Sequence, residues 1–374
     1  MPSIAAFVRD WFTEPRPPFE LRRPSPRWGK ASSRQQRRSL RVVDVIQETP
    51  STRTFVLEPL DSALPSLQYR AGQHLTLLVD VAGATQRRCY SFSSSPAAGT
   101  RPAITVKRMP DGIVSGHLHD SVRAGGVLVA LEPTGSFTAD LDPPVARNLV
   151  LVAGGVGITP LISIAETVLR VEPGSSVTLL CGNRSEDEII FRRRLADLEA
   201  EFAGRLKVVR ALDDPPAGWE GLTGALDGAR TLAALDGANA DAYYVCGPEP
   251  MMQSVCEALA SAGIPRERIH TERFAYASAS TTRIPDHSAE IEFAGSGKRV
   301  TARSGQTILQ AGLEAGLDLA FSCTMGGCGA CKVRKTSGAV VMSEPNCLSG
   351  QEREAGYLLA CCAYADTNVV IEGH

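Results

Sequence analysis

The sequence has 374 residues, enough for two or three domains of ordinary size, and 43% of them are hydrophobic, enough to fill their cores. A net charge of −2 and an aromatic content of 6% argue against nucleic-acid binding. The charge is unevenly distributed: residues 1–41 contain ten arginines and lysines and three acids. Their net charge is therefore +7, and the net charge of the remaining residues is −9. No run reaches the ~18 apolar residues of a membrane span. Since no signal peptide is visible either, we expect a cytoplasmic protein.

Residues 1–40 form a basic leader rich in proline, arginine and serine. Its apolar residues follow the spacing of one helical face: Ile4, Phe7, Val8, Trp11 and Phe12. Such a helix, followed by arginines, could lie at an anionic membrane surface or on a membrane-bound partner, which would make the protein peripheral at the inner membrane face. Alternatively, the same face packs on the protein body and the arginines are solvated.

Residues 41–143 consist of short strand-like segments separated by turns, with no long helical period. This pattern predicts a small antiparallel β-barrel or sandwich, of which we expect the barrel. The predicted strands are Arg41–Ile46, Thr54–Leu57, His74–Val81, Ile104–Lys107 and Val127–Leu131.

Residues 144–275 change to buried apolar strands that alternate with helices. Leu149–Ala153 is fully apolar and precedes a glycine-rich turn, and Val177–Leu180, Leu206–Val209 and Tyr243–Val245 repeat the pattern. This alternation predicts an α/β domain with a parallel sheet. Residues 276–286 are small and polar, as in a linker. Residues 287–374 begin with a strand and continue with a helix over 306–316, which predicts an α+β domain.

The strongest motif is Cys323-x4-Cys328-x2-Cys331, with Cys361 thirty positions later. Plant-type [2Fe–2S] clusters are held by thiolates at this spacing. The intervening glycines would let the loop wrap closely and direct backbone N–H groups at the sulfurs. A zinc site is the alternative, although zinc ribbons use paired CxxC knuckles and only one is present here. The grouped spacing fits a disulfide framework poorly.

The segments FSCTMGGCGACKVRKTSGAV and LLACCAY resemble a plant-type ferredoxin domain, whose fold is β-grasp-like. The resemblance implies that Cys361 is the fourth ligand and that the adjacent Cys362 is a bystander.

The first domain contains Arg88-Cys89-Tyr90-Ser91, one strand after Gly72-Gln73-His74. An arginine, a tyrosine and a serine on a strand are weak evidence by themselves, but an α/β nucleotide domain follows. Residues 40–275 thus resemble the ferredoxin–NADP reductase family. The resemblance implies that Arg88 pairs with the flavin pyrophosphate, that Tyr90 stacks on the isoalloxazine and that Ser91 places its hydroxyl near N5.

A second flavin segment is implied by the same resemblance. Lys107 and Gly112-Ile113-Val114-Ser115 are similar to the segment that closes over the pyrophosphate, with Lys107, Gly112, Val114 and Ser115 as binding residues and Ser115 as a cap at a helix N-terminus. A pyrophosphate implies FAD rather than FMN.

The second domain opens with a turn that contains Gly154, Gly155, Gly157 and Thr159. A glycine-rich turn between a strand and a helix allows backbone N–H groups to approach phosphate. It departs from G-x-G-x-x-G, because Pro160 replaces the third glycine, and a mere tight turn is the alternative.

The resemblance adds a nicotinamide pocket. Cys246-Gly247-Pro248 would line it, Phe274 would cover the flavin face that nicotinamide must reach, and Glu272 would help to position the reacting rings. The expected catalytic residues are therefore Ser91, Cys246, Glu272 and Phe274.

Nucleotide choice depends on the segment after Val177–Leu180. Arg184 and Ser185 resemble the residues of diflavin reductases that bind a 2′-phosphate, which needs cations and hydroxyl donors. We therefore expect NADPH, with one of Arg192–Arg194 assisting. Asp187 and Glu188 weaken this prediction, the three arginines could be a solvated helix face, and NADH stays possible.

The order flavin, nucleotide, ferredoxin resembles the reductase components of bacterial oxygenases. Hydride carries two electrons and a [2Fe–2S] cluster accepts one, so a flavin between them splits the pair. We expect an oxidoreductase that uses NAD(P)H and FAD and passes electrons through its cluster to a terminal oxygenase, hydroxylase or desaturase. The alternatives are a reductase for a non-oxygenase metalloprotein and a redox sensor without turnover.

Overall fold

The computed structural model describes residues 37–60, 67–81, 83–237, 239–274, 283–344, 346–348 and 350–372. These residues form three successive units, which we call the barrel domain, the parallel-sheet domain and the cysteine-loop domain. The predicted helix of the leader and most of the predicted linker lie outside the described residues.

The barrel domain is an antiparallel sheet of six strands in the order β4-β3-β6-β1-β2-β5. A bridge between Phe92 and Ile104 links the ends of the two edge strands, so the sheet closes into the predicted barrel. Residues 37–40, predicted as part of the leader, lie in the first strand and pair with the sixth. The elements are β1 (Arg37–Thr49), β2 (Thr52–Pro59), β3 (His74–Val81), β4 (Ala84–Ser91), β5 (Ala103–Lys107), α1 (Ile113–Ser121) and β6 (Val127–Leu131).

The parallel-sheet domain has the strand order β10-β9-β8-β7-β11-β12, and every pairing is parallel. The elements are β7 (Asn148–Gly154), α2 (Ile158–Val171), β8 (Ser176–Asn183), α3 (Arg192–Glu201), β9 (Leu206–Leu212), β10 (Leu222–Thr223), α4 (Gly228–Leu235), β11 (Ala242–Cys246), α5 (Glu249–Ser261) and β12 (Ile269–Glu272).

Both faces of this parallel sheet are covered, which explains why its strands are continuously apolar. Along β7, Leu149 and Leu151 contact the core that includes α2 and α3, whereas Val150 and Val152 contact the core that includes α4 and α5. The carboxyl ends of β7 and β11 therefore meet at one edge, where the chain can place a ligand site.

The cysteine-loop domain has a mixed five-stranded sheet in the order β14-β13-β19-β15-β17, a two-stranded sheet of β16 and β18, and a helix packed on the core. This is the predicted β-grasp-like α+β unit. The elements are β13 (Ala289–Phe293), β14 (Lys298–Ala302), α6 (Ile308–Glu314), β15 (Lys332–Ser337), β16 (Val340–Met342), α7 (Gly350–Glu354), β17 (Tyr357–Leu359), β18 (Ala363–Ala365) and β19 (Val369–Glu372).

The predicted helix over 306–316 is shorter in the structure. Thr307 is its N-cap and forms a capping box with Gln310, which fixes the first helical residue at Ile308. Among the described residues, no helix is both long and apolar enough to cross a membrane.

Candidate active site

The four predicted cluster cysteines meet in the cysteine-loop domain. The cysteine loop, residues 321–331, leads from α6 to β15, and Cys361 lies between β17 and β18. Cys323, Cys331 and Cys361 are buried and Cys328 is half-buried. The thiols of Cys328 and Cys361 interact with Cys323 and hold its pKa well below the ordinary value. All ten cysteines are described and none forms a disulfide.

Backbone N–H groups of the loop point at these sulfurs. The amides of Met325 and Gly327 each lie 3.4 Å from Cys323 Sγ, and the amide of Gly326 lies 3.2 Å from Cys361 Sγ. Gly326 has a φ of +77°, which a residue with a Cβ rarely adopts. N–H donors to ligand sulfurs stabilise the negative charge of an iron–sulfur site. The donor set and its cradle therefore fit a [2Fe–2S] cluster.

Strand β4 carries the three residues of the predicted flavin motif. Tyr90 is half-buried against the barrel core, and burial raises the pKa of its hydroxyl. Ser91 is buried at the end of the strand. Arg88 lies between them and the cysteine loop: its Nη1 donates to the carbonyl of Arg87 at 2.8 Å and to Met325 Sδ at 2.9 Å. The alternation of β4 puts Arg88 and Tyr90 on one face of the strand.

Ser91 meets the parallel-sheet domain at Glu272, the last residue of β12. Its hydroxyl donates to Glu272 Oε2 at 3.4 Å. Burial raises the pKa of Glu272 to about 8, and the Ser91 hydrogen bond opposes this rise. Cys246 is opposite Glu272 in the parallel β11–β12 register and is fully buried, which raises its pKa. Phe274 packs against the core beside them. All four predicted catalytic residues thus lie in the same part of the structure.

His74 also belongs to this group and was not predicted as a site residue. It is opposite Ser91 in the β3–β4 pair, and its Nδ1 lies 3.9 Å from Glu272 Oε1. Burial lowers the pKa of His74 to about 4, so the imidazole is neutral and this contact is not an ion pair. The signal in the sequence was the short loop at Gly83, because a hairpin there pairs residue 74 with residue 91.

The glycine-rich turn packs against the Cys246-Gly247-Pro248 segment. A Cβ on Gly157 would lie 2.2 Å from the carbonyl oxygen of Cys246, and one on Gly154 would lie 2.5 Å from Pro248 Cδ. Gly155 has a φ of +51°. Close packing therefore requires glycine here, and α2 begins directly after the turn. The hydroxyl of Thr159 donates to the carbonyl of Val156 at 3.0 Å.

The predicted pyrophosphate segment departs from expectation at its cap. The N-cap of α1 is Gly112, without a side-chain hydrogen bond, and Ser115 is the third helical residue. The Ser115 hydroxyl accepts from the amide of Met109 at 3.1 Å and donates to the carbonyl of Gly112 at 3.2 Å, so it closes the turn from inside. Val114 is buried in the barrel core. Lys107 forms an ion pair of 2.9 Å with Glu188 of the parallel-sheet domain.

The predicted 2′-phosphate residues follow β8. Arg184 is exposed, and the Ser185 hydroxyl donates to Asp187 at 2.6 Å. Of the three arginines that could assist, Arg192 pairs with Glu186 and Arg193 is exposed.

The third of these arginines has a different role. Arg194 joins the two domains, because it donates to the Ser93 carbonyl at 2.7 Å and to Glu166 Oε2 at 2.5 Å.

The cysteine loop lies against the barrel domain. The hydroxyls of Thr76 and Ser322 are 2.5 Å apart, and Arg87 Nη1 donates to the Ser322 carbonyl at 3.0 Å. The Arg87 guanidinium also lies over the ring of Phe321, 5.4 Å from its centroid. Strand β4, which carries the flavin motif, and its neighbour β3 therefore both contact the cysteine loop.

Comparison with known proteins identifies the three units. Residues 39–139 match an oxidoreductase FAD-binding domain, residues 151–257 an oxidoreductase NAD-binding domain and residues 291–366 a 2Fe-2S iron-sulfur cluster binding domain. All four predicted cluster cysteines lie within the last match, which disfavours the zinc alternative.

Several relatives match this chain over nearly their whole length. The chain is 35% identical over 341 residues to the ferredoxin reductase component of 3-ketosteroid-9-alpha-monooxygenase from Rhodococcus rhodochrous, covering 87% of this chain and 93% of that protein. It is 31% identical to the reductase component of glycine betaine monooxygenase from Chromohalobacter salexigens, covering 90% and 95%. It is 33% identical to a component of 1,2-phenylacetyl-CoA epoxidase from Escherichia coli, covering 89% and 96%.

Solved structures agree in fold. Phthalate dioxygenase reductase superposes with a TM-score of 0.60 at 24% identity, covering 90% of this chain and 97% of that chain. An intact type IV self-sufficient cytochrome P450 monooxygenase superposes with a TM-score of 0.67 at 26% identity, covering 90% of this chain and 41% of that chain. The chain therefore belongs to the family of FAD-dependent ferredoxin-reductase components of oxygenases that carry a C-terminal 2Fe–2S domain.

Proposed function

We propose that this reductase takes hydride at the Ser91–Glu272 contact and delivers electrons through the cysteine loop to a separate terminal oxygenase, hydroxylase or desaturase. The observation that carries the proposal is the shared position of the two sites. Strand β4 contributes Ser91 to the contact with Glu272. The same strand contributes Arg87, and its neighbour β3 contributes Thr76, to the contact with the cysteine loop. A short path for electrons requires such proximity.

We assign the flavin to the face of β4. When bound, FAD supplies the exchange between two-electron and one-electron chemistry. Arg88 would hold its pyrophosphate, Tyr90 and Phe274 would flank its ring, and Ser91 would donate toward the position where hydride arrives. Because the Glu272 side chain is only 14% exposed and lies beside Ser91, it would orient that hydroxyl and help to exclude water. Lys107 and the turn at Gly112 would close over the pyrophosphate.

We assign the nicotinamide nucleotide to the edge where β7 and β11 end. The turn through Gly154, Gly155 and Gly157 packs closely against Cys246 and has no side chains at these glycines. Its backbone N–H groups could therefore approach a phosphate of the nucleotide. Cys246-Gly247-Pro248 would line the nicotinamide pocket beside Glu272. This arrangement would place the nicotinamide against the ring that Phe274 otherwise covers.

We propose NADPH as the preferred nucleotide, with Arg184 and Ser185 at the 2′-phosphate. Arg184 is exposed at the carboxyl end of β8, where an adenosine ribose binds in folds of this type. Of the assisting arginines only Arg193 suits the role, because Arg192 and Arg194 are held by acids. The features that favour NADH are Asp187, which accepts a hydrogen bond from the Ser185 hydroxyl at 2.6 Å, and Glu188.

We assign the cluster to Cys323, Cys328, Cys331 and Cys361. The amide of Gly326 donates to Cys361 Sγ, whereas Cys362 Sγ lies 3.7 Å from the carbonyl oxygen of Leu359. Only the first of these sulfurs receives a backbone donor of the loop, and this supports Cys361 as the fourth ligand.

The relatives do not identify the substrate of the oxygenase that this reductase would serve. Those named above serve a ketosteroid monooxygenase, a glycine betaine monooxygenase and a phenylacetyl-CoA epoxidase, so one reductase architecture serves very different substrates. A reductase of this kind transfers electrons to a redox centre of its partner and does not itself bind the partner's substrate. For the leader we propose, from its sequence alone, a weak peripheral contact with the inner membrane face.

Reconstitution tests the proposal. The full-length protein is mixed with NADPH and then with either ferricyanide or a candidate oxygenase component. We expect steady turnover with ferricyanide and substrate oxidation that requires both proteins. Cys361→Ser is the matched control: it should keep most of the ferricyanide activity and lose support of the oxygenase. The absence of steady ferricyanide turnover would instead favour a redox sensor.

A further inference from the structure

Two side chains of the barrel domain, His74 and Cys89, lie close to the cysteine loop, and neither has been given a role toward the cluster. A ring nitrogen of His74, the sulfur of Cys89 and the sulfur of Cys328 all lie within 4.8 Å of one another. His74 and Cys89 come from the flavin-bearing strands β3 and β4, whereas Cys328 is a cluster ligand. The group therefore spans the boundary between the two redox domains.

His74 is held in place from several directions. Its amide donates to the Thr134 carbonyl at 2.9 Å, and its Nδ1 lies on the side of Glu272. The residue is 4% exposed, yet its Nε2 has no hydrogen-bond partner in the structure. Buried polar atoms nearly always have a partner, so an unpartnered Nε2 calls for a group that binds there.

The neighbouring contacts keep this arrangement in register. Thr76 Oγ1 is 3.2 Å from Cys89 Sγ and 2.5 Å from Ser322 Oγ, and Ser322 immediately precedes the first cluster ligand, Cys323. The position of the cysteine loop on β3 is thus set by hydrogen bonds within a few residues of His74. Gly135 packs against the Nδ1 side of the ring, where an added Cβ would lie 3.0 Å from His74 Nδ1.

We propose that His74 is a positioning residue for electron transfer between the flavin and the cluster, and that its Nε2–H donates to a sulfur of the cluster site. The inference rests on the electron-transfer function. With both cofactors bound, the flavin would supply one electron to the cluster; no covalent bond would form or break, and His74 would keep its proton. A donor to a cluster sulfur favours the reduced cluster and raises its potential. Because His74 belongs to the barrel domain, it can raise the cluster potential only when the two domains are docked.

The potential of the cluster in the full-length protein tests this role. Potentials are measured by dithionite titration with mediator dyes and followed by EPR, a readout that does not need hydride transfer and so stays informative if the nicotinamide assignments fail. His74→Leu should lower the equilibrium constant for cluster reduction about tenfold, which is about 59 mV for one electron. His74→Gln, which keeps an N–H donor, should recover part of this loss.

The matched control is His119→Leu. His119 is also a buried histidine of the barrel domain, but its Nε2 bonds to the Val106 carbonyl at 2.9 Å, so its loss should leave the cluster potential unchanged. A His74→Leu potential equal to that of wild type would overturn the proposal.

A measurement on the wild-type protein covers the case in which the His74 variants do not fold. With histidine labelled with ¹⁵N, pulsed EPR of the reduced cluster should detect a weak coupling to one histidine nitrogen. Among the described residues, His74 is the histidine grouped with a cluster cysteine. The absence of any histidine coupling would refute the hydrogen bond.

Discussion

Replacing Glu272 with glutamine should remove a large pH dependence from the stability of this protein. Burial raises the pKa of Glu272 from the ordinary carboxyl value of 4.5 to about 8. Between these two values the folded protein binds a proton that the unfolded chain has released, so this group makes stability fall as the pH rises. From pH 5 to pH 8.5 the loss is about 3–4 kcal/mol, at 1.36 kcal/mol per pKa unit.

Glutamine has nearly the same shape as the protonated glutamic acid and does not ionise. Relative to wild type, Glu272→Gln should therefore become more stable by about 3 kcal/mol as the pH rises across this window. The assay is denaturant unfolding of the FAD-loaded protein at pH 5 and pH 8.5, with the fluorescence of Trp219 reporting on the parallel-sheet domain. Taking the difference between variant and wild type at each pH cancels the other titrating groups.

Glu267→Gln provides the control, since Glu267 is an exposed acid of the same domain and its replacement should produce no such difference. Parallel stability–pH curves for wild type and Glu272→Gln would show that Glu272 ionises normally. The account of a buried, protonated carboxyl beside Ser91 would then be wrong.

Three further predictions test the cluster, the nucleotide and the leader. Cys361→Ser should abolish the [2Fe–2S] EPR signal of the reduced protein while FAD stays bound, and Cys362→Ser should leave both; loss of the signal in Cys362→Ser alone would move the fourth ligand by one residue. Arg184→Ala should lower kcat/KM for NADPH roughly tenfold more than for NADH, because a charge-assisted contact to phosphate is lost; a wild-type preference for NADH would reverse the assignment. Deleting residues 2–36, which spares β1, should preserve NADPH–ferricyanide activity and reduce sedimentation with anionic vesicles at low salt; full-length protein that never sediments with such vesicles would exclude the membrane contact.

The sequence by itself determined the three domain types and their order. Short strand-like segments with turns and no helical period indicated the first domain, and buried apolar strands alternating with helices indicated a parallel sheet. These predictions were confirmed because each depends on local periodicity and on the cost of exposing apolar surface. The spacing of Cys323, Cys328 and Cys331 similarly reflects the geometry of one loop. The resemblance to known reductases supplied roles for residues, such as Ser91 and Glu272, that no local pattern could connect.

Only the tertiary structure decided which distant side chains meet. Ser115 closes a turn instead of capping α1, and Arg194 joins two domains instead of facing a nucleotide, because the partners of both are set by packing. The contact of the cysteine loop with Thr76 connects residues 246 positions apart. His74 gained its place between Glu272 and Cys328 in the same way. For Arg194, Thr76 and His74 the local sequence carries no information on these contacts, since their partners come from separate domains and meet only when the domains dock. For Ser115 the partners are local, but the conformation of the turn decides which backbone groups its hydroxyl reaches.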